Sequence, residues 1–477
     1  MDTKWSILQL AFMLVCASSI AQDTINPAQF VGERWFGLYL NNNKVGFMQQ
    51  ALTIGEGGLV YFTEDGTFRM NMSGVQQEMQ VHSVRTYAHS GKLVSIDYKL
   101  VDILSTTEFH AKVENNQLKL VKTMAGQNVE RYLPLPQEHL KDALKFQLWM
   151  LKKPKVGEEL TAFLFEPLYE QELICISTIA GIEERFLNGV PTKVYKINTK
   201  VNILNLEQTS YVTEKGLVLE DIAGEIFTMR LEPKEVATDI HYSNDVLVSN
   251  AAMIDKPIEK PRERETLKLI LNGPLNDNHL FGDERQQIVQ EEDHFVFTAK
   301  KVDPNSIPKM TLPIQEEEVK RWTQASSFVQ SDHPEMIKTA TEIIGATTDA
   351  WEAVKKLCSW VKDNMRTSYS AQLTNALDVL KHREGDCTEH SLLFVGLARA
   401  IGIPAREVAG LIYVDYPKPG FYFHQWAKVW VGKWIDVDPT FNQPLVDVTH
   451  IKIGEGDIIE QIKLIPLVGR IKISTVD

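Results

Sequence analysis

Four cysteines in 477 residues, Cys16, Cys175, Cys358 and Cys387, are too few and too scattered for a disulfide framework. Basic residues are also in deficit: 50 Lys and Arg against 63 Asp and Glu leave a net charge of −13. Nucleic-acid binders draw their affinity from Lys and Arg at phosphates, so no nucleic-acid partner is expected. No apolar stretch is long enough to span a bilayer, and the chain does not read as an integral membrane protein. No run of closely spaced carboxylates reads as a calcium loop, and neither metal nor other cofactor is expected.

What is present is ordinary globular material, 44% hydrophobic and 24% charged, on a chain long enough for several domains. Lys4 precedes a largely apolar run from Trp5 to Val15, and Ser19-Ile20-Ala21 places small residues where a signal peptidase cuts. Residues 1–21 therefore read as a secretory signal, and the protein as exported, periplasmic or extracellular. Cys16 raises a lipoprotein alternative, but Val15 before it is a poor fit to the small residue wanted there.

Residues 22–240 read as an antiparallel β-rich domain. Short β-prone runs are separated by turn signals such as Asn41-Asn42, Asn115-Asn116 and Lys215-Gly216, and Val94 to Leu100 alternates apolar with polar. One amphipathic helix, about Gln137 to Leu151, interrupts the strands. Cys175 lies in an apolar strand-like run and reads as core. Residues 241–312 hold a charged, proline-punctuated linker (254–265) and a β segment. Helical texture follows, at Gln315 to Trp322, Glu335 to Ile344 and Asp349 to Met365. In the last, Trp351, Val354, Leu357, Cys358 and Val361 form one apolar stripe, with Thr347 and Thr348 as possible caps. Strands are expected at Arg406 to Val414, Phe421 to Val431 and Trp434 to Val437, with two more in the C-terminal piece, 446–477.

The chemistry centres on Gly385-Asp386-Cys387, where a turn-prone pair delivers a cysteine to the first turn of an apolar helix closed by Gly402-Ile403-Pro404. A helix N-terminus favours thiolate over thiol. His424 and Asp438 follow on neighbouring strands, an imidazole to take the thiol proton and a carboxylate to orient it. A regular two-residue loop at Gly432-Lys433 would put Asp438 opposite Ala427, on the face away from His424. One added residue puts Asp438 opposite Trp426, with His424 a same-face diagonal neighbour at about 7–8 Å. The set therefore requires a bulge or a three-residue loop near Gly432. Asp436 competes with Asp438 for the carboxylate role, and His390, at i+3 from Cys387, borders the cleft. Trp426, Trp430 and Trp434 read as core.

Ala376-Leu377-Asp378-Val379-Leu380, Arg383 to His390, Arg399 to Gly410, His424-Gln425-Trp426-Ala427-Lys428-Val429 and Trp434 to Thr440 together resemble the transglutaminase-like superfamily, in a bacterial-type exported protein. The resemblance implies an α+β fold: a papain-like transglutaminase core at residues 313–445, preceded by the large antiparallel β domain. It implies Cys387 as nucleophile, His424 as base and Asp438 as orienting carboxylate. The first oxyanion donor would be the Cys387 backbone N–H, and Tyr369 is the candidate for the second. Two departures stand out: Lys428, where relatives often carry glutamate, and Thr388, where animal cross-linking members have tryptophan. The expected activity is a cysteine-dependent amide hydrolase, a peptidase or isopeptidase acting through a thioester on a protein or peptide substrate. The alternatives are a transglutaminase that passes the acyl group to an amine, and a non-catalytic binding or assembly module.

Overall fold

The computed structural model describes residues 26–476, except 73–74, 102–105, 125–126, 168–169, 188, 203–206, 225, 241–249, 255, 327, 369–374, 457–466 and 468. The expected signal at 1–21 and Tyr369 lie outside the described residues. The chain divides into two compact units, one dominated by residues 76–243 with 6–71, the other by 244–477.

The first unit is one antiparallel sheet of fourteen strands. Eight run as consecutive hairpins from Gly32–Leu40 to Gln127–Pro134, and six from Glu159–Glu166 to Phe227–Glu232, whose last strand pairs with the first. The asparagine pairs set the tightest turns. Asn41 and Asn42 have φ of 47° and 64°, and Asn115 and Asn116 50° and 63°. Both central residues of such a loop must be left-handed to match the strand twist, and asparagine tolerates that. The alternation in Leu93–Val101 buries Ile96, Tyr98 and Leu100. At the expected helix two short ones occur, Leu140–Ala143 and Lys145–Leu151, broken at Leu144. The second packs Phe146, Trp149 and Met150 against Leu160, Ile179, Ile197 and Val212. Cys175 is buried in this sheet as expected.

The second unit places a sheet between helices and a smaller sheet. Gly420–Trp430 pairs with Ala405–Val414, which pairs with His450–Gly456; Trp434–Val437 adds to Gly420–Trp430. Helices Pro334–Ile344, Ala350–Asn364, Ala376–His382 and Cys387–Ala400 share a core with Ala427, Val429, Ile435 and Val437 of this sheet. The stripe Val354, Leu357, Cys358 and Val361 is wholly buried there. Each such aliphatic side chain contributes about 1.5–3 kcal/mol relative to exposure. Asp349, rather than Thr347 or Thr348, caps the long helix by accepting from Glu352 N at 3.0 Å. The segment at Gln315 to Trp322 is a 3₁₀ helix, Glu317–Thr323.

A separate core joins Leu411, Tyr413, Phe421, Ile451 and Ile453 to a four-stranded sheet of Gln286–Glu291, His294–Lys300, Thr266–Asn272 and the C-terminal Lys472–Thr475. Residues 266–300 are thus built into the same unit as the cysteine helix. Among the described residues, no helix is long and apolar enough to cross a membrane.

Candidate active site

Cys387 opens its helix under an unusually complete cap. Asp386 Oδ1 accepts from Thr388 N at 2.9 Å, and the Glu389 carboxylate accepts from Asp386 N at 2.7 Å. This reciprocal box satisfies donors at the helix start and fixes where the thiol emerges. Gly385 is required just before it. Its φ is +152°, and a Cβ there would stand 2.4 Å from the Glu389 Cβ.

His424 comes from the middle of the adjoining strand, and Asp438 from just beyond Trp434–Val437. Ala427 pairs with Val437 and Trp430 with Trp434, which leaves a three-residue loop, Val431-Gly432-Lys433. That is the register the sequence required, and it carries Asp438 to the face of His424. Gly432 makes the loop possible with φ +84°. His424 Nε2 lies 2.8 Å from Asp438 Oδ2. The ring's Nδ1 is then the nitrogen left for the thiol, and a hydrogen bond joins the His424 and Cys387 side chains. Cys387 and His424 are only 7% and 6% exposed.

The electrostatics follow from that burial. Desolvation alone would push His424 down, but the charges of Asp438 and Cys387, with their hydrogen bonds, overcome it and raise the imidazole to about 10. Asp438 is fully buried, which opposes its charge. The His424 charge and hydrogen bonds from His424 and His450 nevertheless hold it well below the usual carboxylate range. Its other oxygen accepts from Thr440 N at 2.8 Å and Phe441 N at 3.2 Å. At neutral pH the His424 ring is therefore protonated and faces an ionised Asp438. The Trp426 ring stacks beside His424 with centroids 6.0 Å apart, and Phe441 covers it at 5.4 Å.

The other residues singled out in the sequence have different places. Asp436 shares the face of His424 but bonds elsewhere. It accepts from Trp426 Nε1 at 3.1 Å and sits near Arg285 and Lys452, whose charges with that of Lys428 outweigh burial and keep it ionised. Lys428 is buried in the same cluster, 2.7 Å from Glu455 and 3.2 Å from Asp283, so it ties the sheet to the neighbouring β segment rather than lining a cleft. Thr388 donates to Gln425 Oε1 at 3.2 Å. His390 is wholly buried instead of bordering a cleft. Its Nδ1–H donates to the Asp386 carbonyl at 2.6 Å, and burial pushes its imidazole down. Trp426 is core, whereas Trp430 and Trp434 are partly exposed and meet edge to face at 5.7 Å.

Sequence reasoning missed His450, whose Nε2 is 3.1 Å from Asp438 Oδ2. The donor atoms of His424, Asp438 and His450 fall within 4.8 Å of one another, a spacing compatible with a metal ion. Both imidazoles, however, already converge on one carboxylate oxygen as hydrogen-bond donors.

Residues 337–439 match the family model of the transglutaminase-like superfamily. An uncharacterised protein of Mycobacterium leprae (strain TN) is 30% identical over 91 residues, 17% of this chain and 31% of that protein, so the chain spans about a third of that relative. Solved structures also align. A candidate cysteine protease from Cytophaga hutchinsonii gives a TM-score of 0.31 at 20% identity, over 47% of this chain and 82% of its own. A β-barrel-like protein of a domain of unknown function from Brucella abortus gives 0.33 at 10% identity, over 42% and 94%. A candidate protease from Parabacteroides distasonis gives 0.21 at 11%, over 84% and 70%. Residues 337–439 of the second unit are thus a transglutaminase-like core.

Proposed function

We propose that the transglutaminase-like core at residues 337–439 makes this chain an exported, cysteine-dependent amide hydrolase, a peptidase or isopeptidase. The observation that carries the reading is His424 held between the Asp438 carboxylate and the Cys387 thiol, with its imidazole raised to about 10. The Cys387 thiolate attacks the amide carbonyl, forming a C–S bond. The tetrahedral oxyanion collapses, the C–N bond breaks, and His424 gives its proton to the departing amine. Neutral His424 then takes a proton from water as that water attacks the thioester. The acid leaves, and the thiolate–imidazolium pair is restored. Asp438 stays ionised throughout and orients the ring. Near-complete burial of Cys387 and His424 strengthens each of these interactions.

The test pairs a peptide-hydrolysis assay with incubation of a dansylated amine and a glutamine-containing protein, for wild type and Cys387→Ala. Cys387-dependent hydrolysis without amine incorporation is expected. Cys387-dependent incorporation would make the chain a transglutaminase, and no Cys387-dependent product in either assay would favour a binding module. Export rests on the apolar run ahead of Ala21. The mature protein should begin at Gln22, and a cytosolic form starting at Met1 would remove that part of the proposal.

A further inference from the structure

Asp438 carries a second imidazole that the reaction just described does not use. His450 Nε2 lies 3.1 Å from Oδ2, the oxygen that also takes His424 Nε2 at 2.8 Å. An ionised carboxylate only accepts, so His450 holds its proton on Nε2 and donates it. The residue begins the strand His450–Gly456, pairs with Ile412, and is 0% exposed. Trp426 meets its ring edge-on, with centroids 5.2 Å apart. Behind it, Nδ1 is 3.4 Å from Asp447 Oδ1, and Asp447 is gripped by Arg262 at 2.9 Å and Gln443 at 2.8 Å. Nε2 carries the ring's hydrogen bond, while Nδ1 faces Asp447 without one.

We propose that His450 is a positioning residue for the chemistry at Cys387, acting through Asp438. It aims Oδ2 at His424 and takes up part of that oxygen's charge, so that the His424 proton remains transferable. The inference rests on the reading of Cys387, His424 and Asp438 as nucleophile, base and orienting carboxylate. Two arguments support it. With Thr440 N and Phe441 N on Oδ1 and His450 on Oδ2, the carboxylate plane is fixed by three donors that take no part in proton transfer. An oxygen shared by two donors also holds each less tightly than an oxygen serving one. A base that must give its proton to an amine and recover one from water benefits from the weaker hold.

The other ionisable groups facing this pair are few. Cys387 and His390 come from the cysteine helix, and Cys358 Sγ reaches the Asp438 carbonyl at 3.6 Å from the helix Ala350–Asn364. Asp447 and Arg262 stand behind His450, and Asp436 lies across Trp426. Among the described residues, only His424 and His450 donate to Asp438 Oδ2.

The test is the pH profile of Cys387 alkylation by iodoacetamide in the full-length protein, for wild type, His450→Phe and His450→Gln. With one donor gone, Asp438 holds the His424 proton more tightly. The basic limb of the His450→Phe profile should therefore move up by about one pH unit, a tenfold change in proton affinity. Its peptide turnover should fall by a comparable factor. His450→Gln keeps an N–H donor and should return the limb towards wild type. A folded His450→Phe protein whose limb does not move overturns the inference, since a purely structural histidine changes the amount of active protein and not its titration. If His450→Phe does not fold, nitrogen-15 NMR of histidine-labelled wild type decides. A proton on Nε2 of His450 supports donation to Asp438, and a ring protonated at Nδ1 alone overturns it. The two readings fail differently. A wild-type Cys387 that alkylates like an ordinary thiol removes the site assignment and this inference with it, whereas an activated wild type with an unmoved variant limb removes the inference only.

Discussion

At the scale of single residues, the site depends on a charge kept in a place that disfavours charge. Asp438 remains ionised because four donors converge on its two oxygens. Asp438→Asn preserves shape but replaces an acceptor by an amide that also donates, which selects the wrong His424 tautomer. Turnover should fall on the order of 10⁴-fold, as such a swap does in hydroxyl-based triads, and measured kcat for the purified variant checks it. His424 makes a second prediction. Its folded value, about 10, lies above its ordinary 6.5, so folding favours the protonated ring. That stabilisation is complete below pH 6.5 and is lost as pH rises through 10. Melting temperature should decline across that window in wild type and decline less in His424→Gln; equal slopes would contradict the assignment. Cys387, His424 and Asp438 were legible in the sequence because each sits in a short local pattern, and their meeting hinged on one loop length. His450 was not. Its importance comes from the pairing of Ile412 with His450, a long-range register that no local pattern announces.

Among elements, the turn Val431-Gly432-Lys433 carries the most consequence, because strand side chains alternate. Deleting Lys433 should restore a two-residue loop, turn Asp438 to the opposite face and abolish rapid alkylation of Cys387. Gly432→Ala tests the same element gently. It asks an alanine to hold φ +84° with its Cβ 2.8 Å from Pro308, and should cost about 1–2 kcal/mol while leaving the register intact. Buried charge forms the other joint. Lys452 lies 2.6 Å from Glu455 and within 3.7 Å of Asp436, and it also pairs with Asp283, binding the cysteine unit's two sheets together. Lys452→Met leaves those carboxylates with Lys428, Arg285 and Arg406 but one cation short, and should destabilise by about 3 kcal/mol in denaturant melts. Composition could not reveal this joint. Lys428 and Lys452 look like solvated charges until the strand after Thr266 is found packed against the same sheet. The helix expected from Gln137 to Leu151 shows the converse limit, since its apolar periodicity runs on past the break at Leu144.

For the whole molecule, the question is how much of the chemistry the second unit holds by itself. Cys387, His424, Asp438, His450, Asp447 and Arg262 all fall within residues 244–477, as do the helices and both sheets that carry them. That unit has its own apolar cores, one beneath the helices and one between the sheets. The fourteen-stranded unit closes its own hairpin order and packs its own helix, Lys145–Leu151. The scheme proposed above uses residues of the second unit, and we propose substrate recognition as the role of the first. A chain beginning near Asn244 should fold and alkylate Cys387 within about twofold of the full-length rate, since the site's electrostatics are local. Its KM for a protein substrate should rise by tenfold or more, about 1.4 kcal/mol of lost binding, while kcat changes little. Equal loss of alkylation and of turnover would instead make the β unit part of what holds the thiol in place. A truncated chain with unchanged KM would assign substrate recognition to the cysteine unit alone.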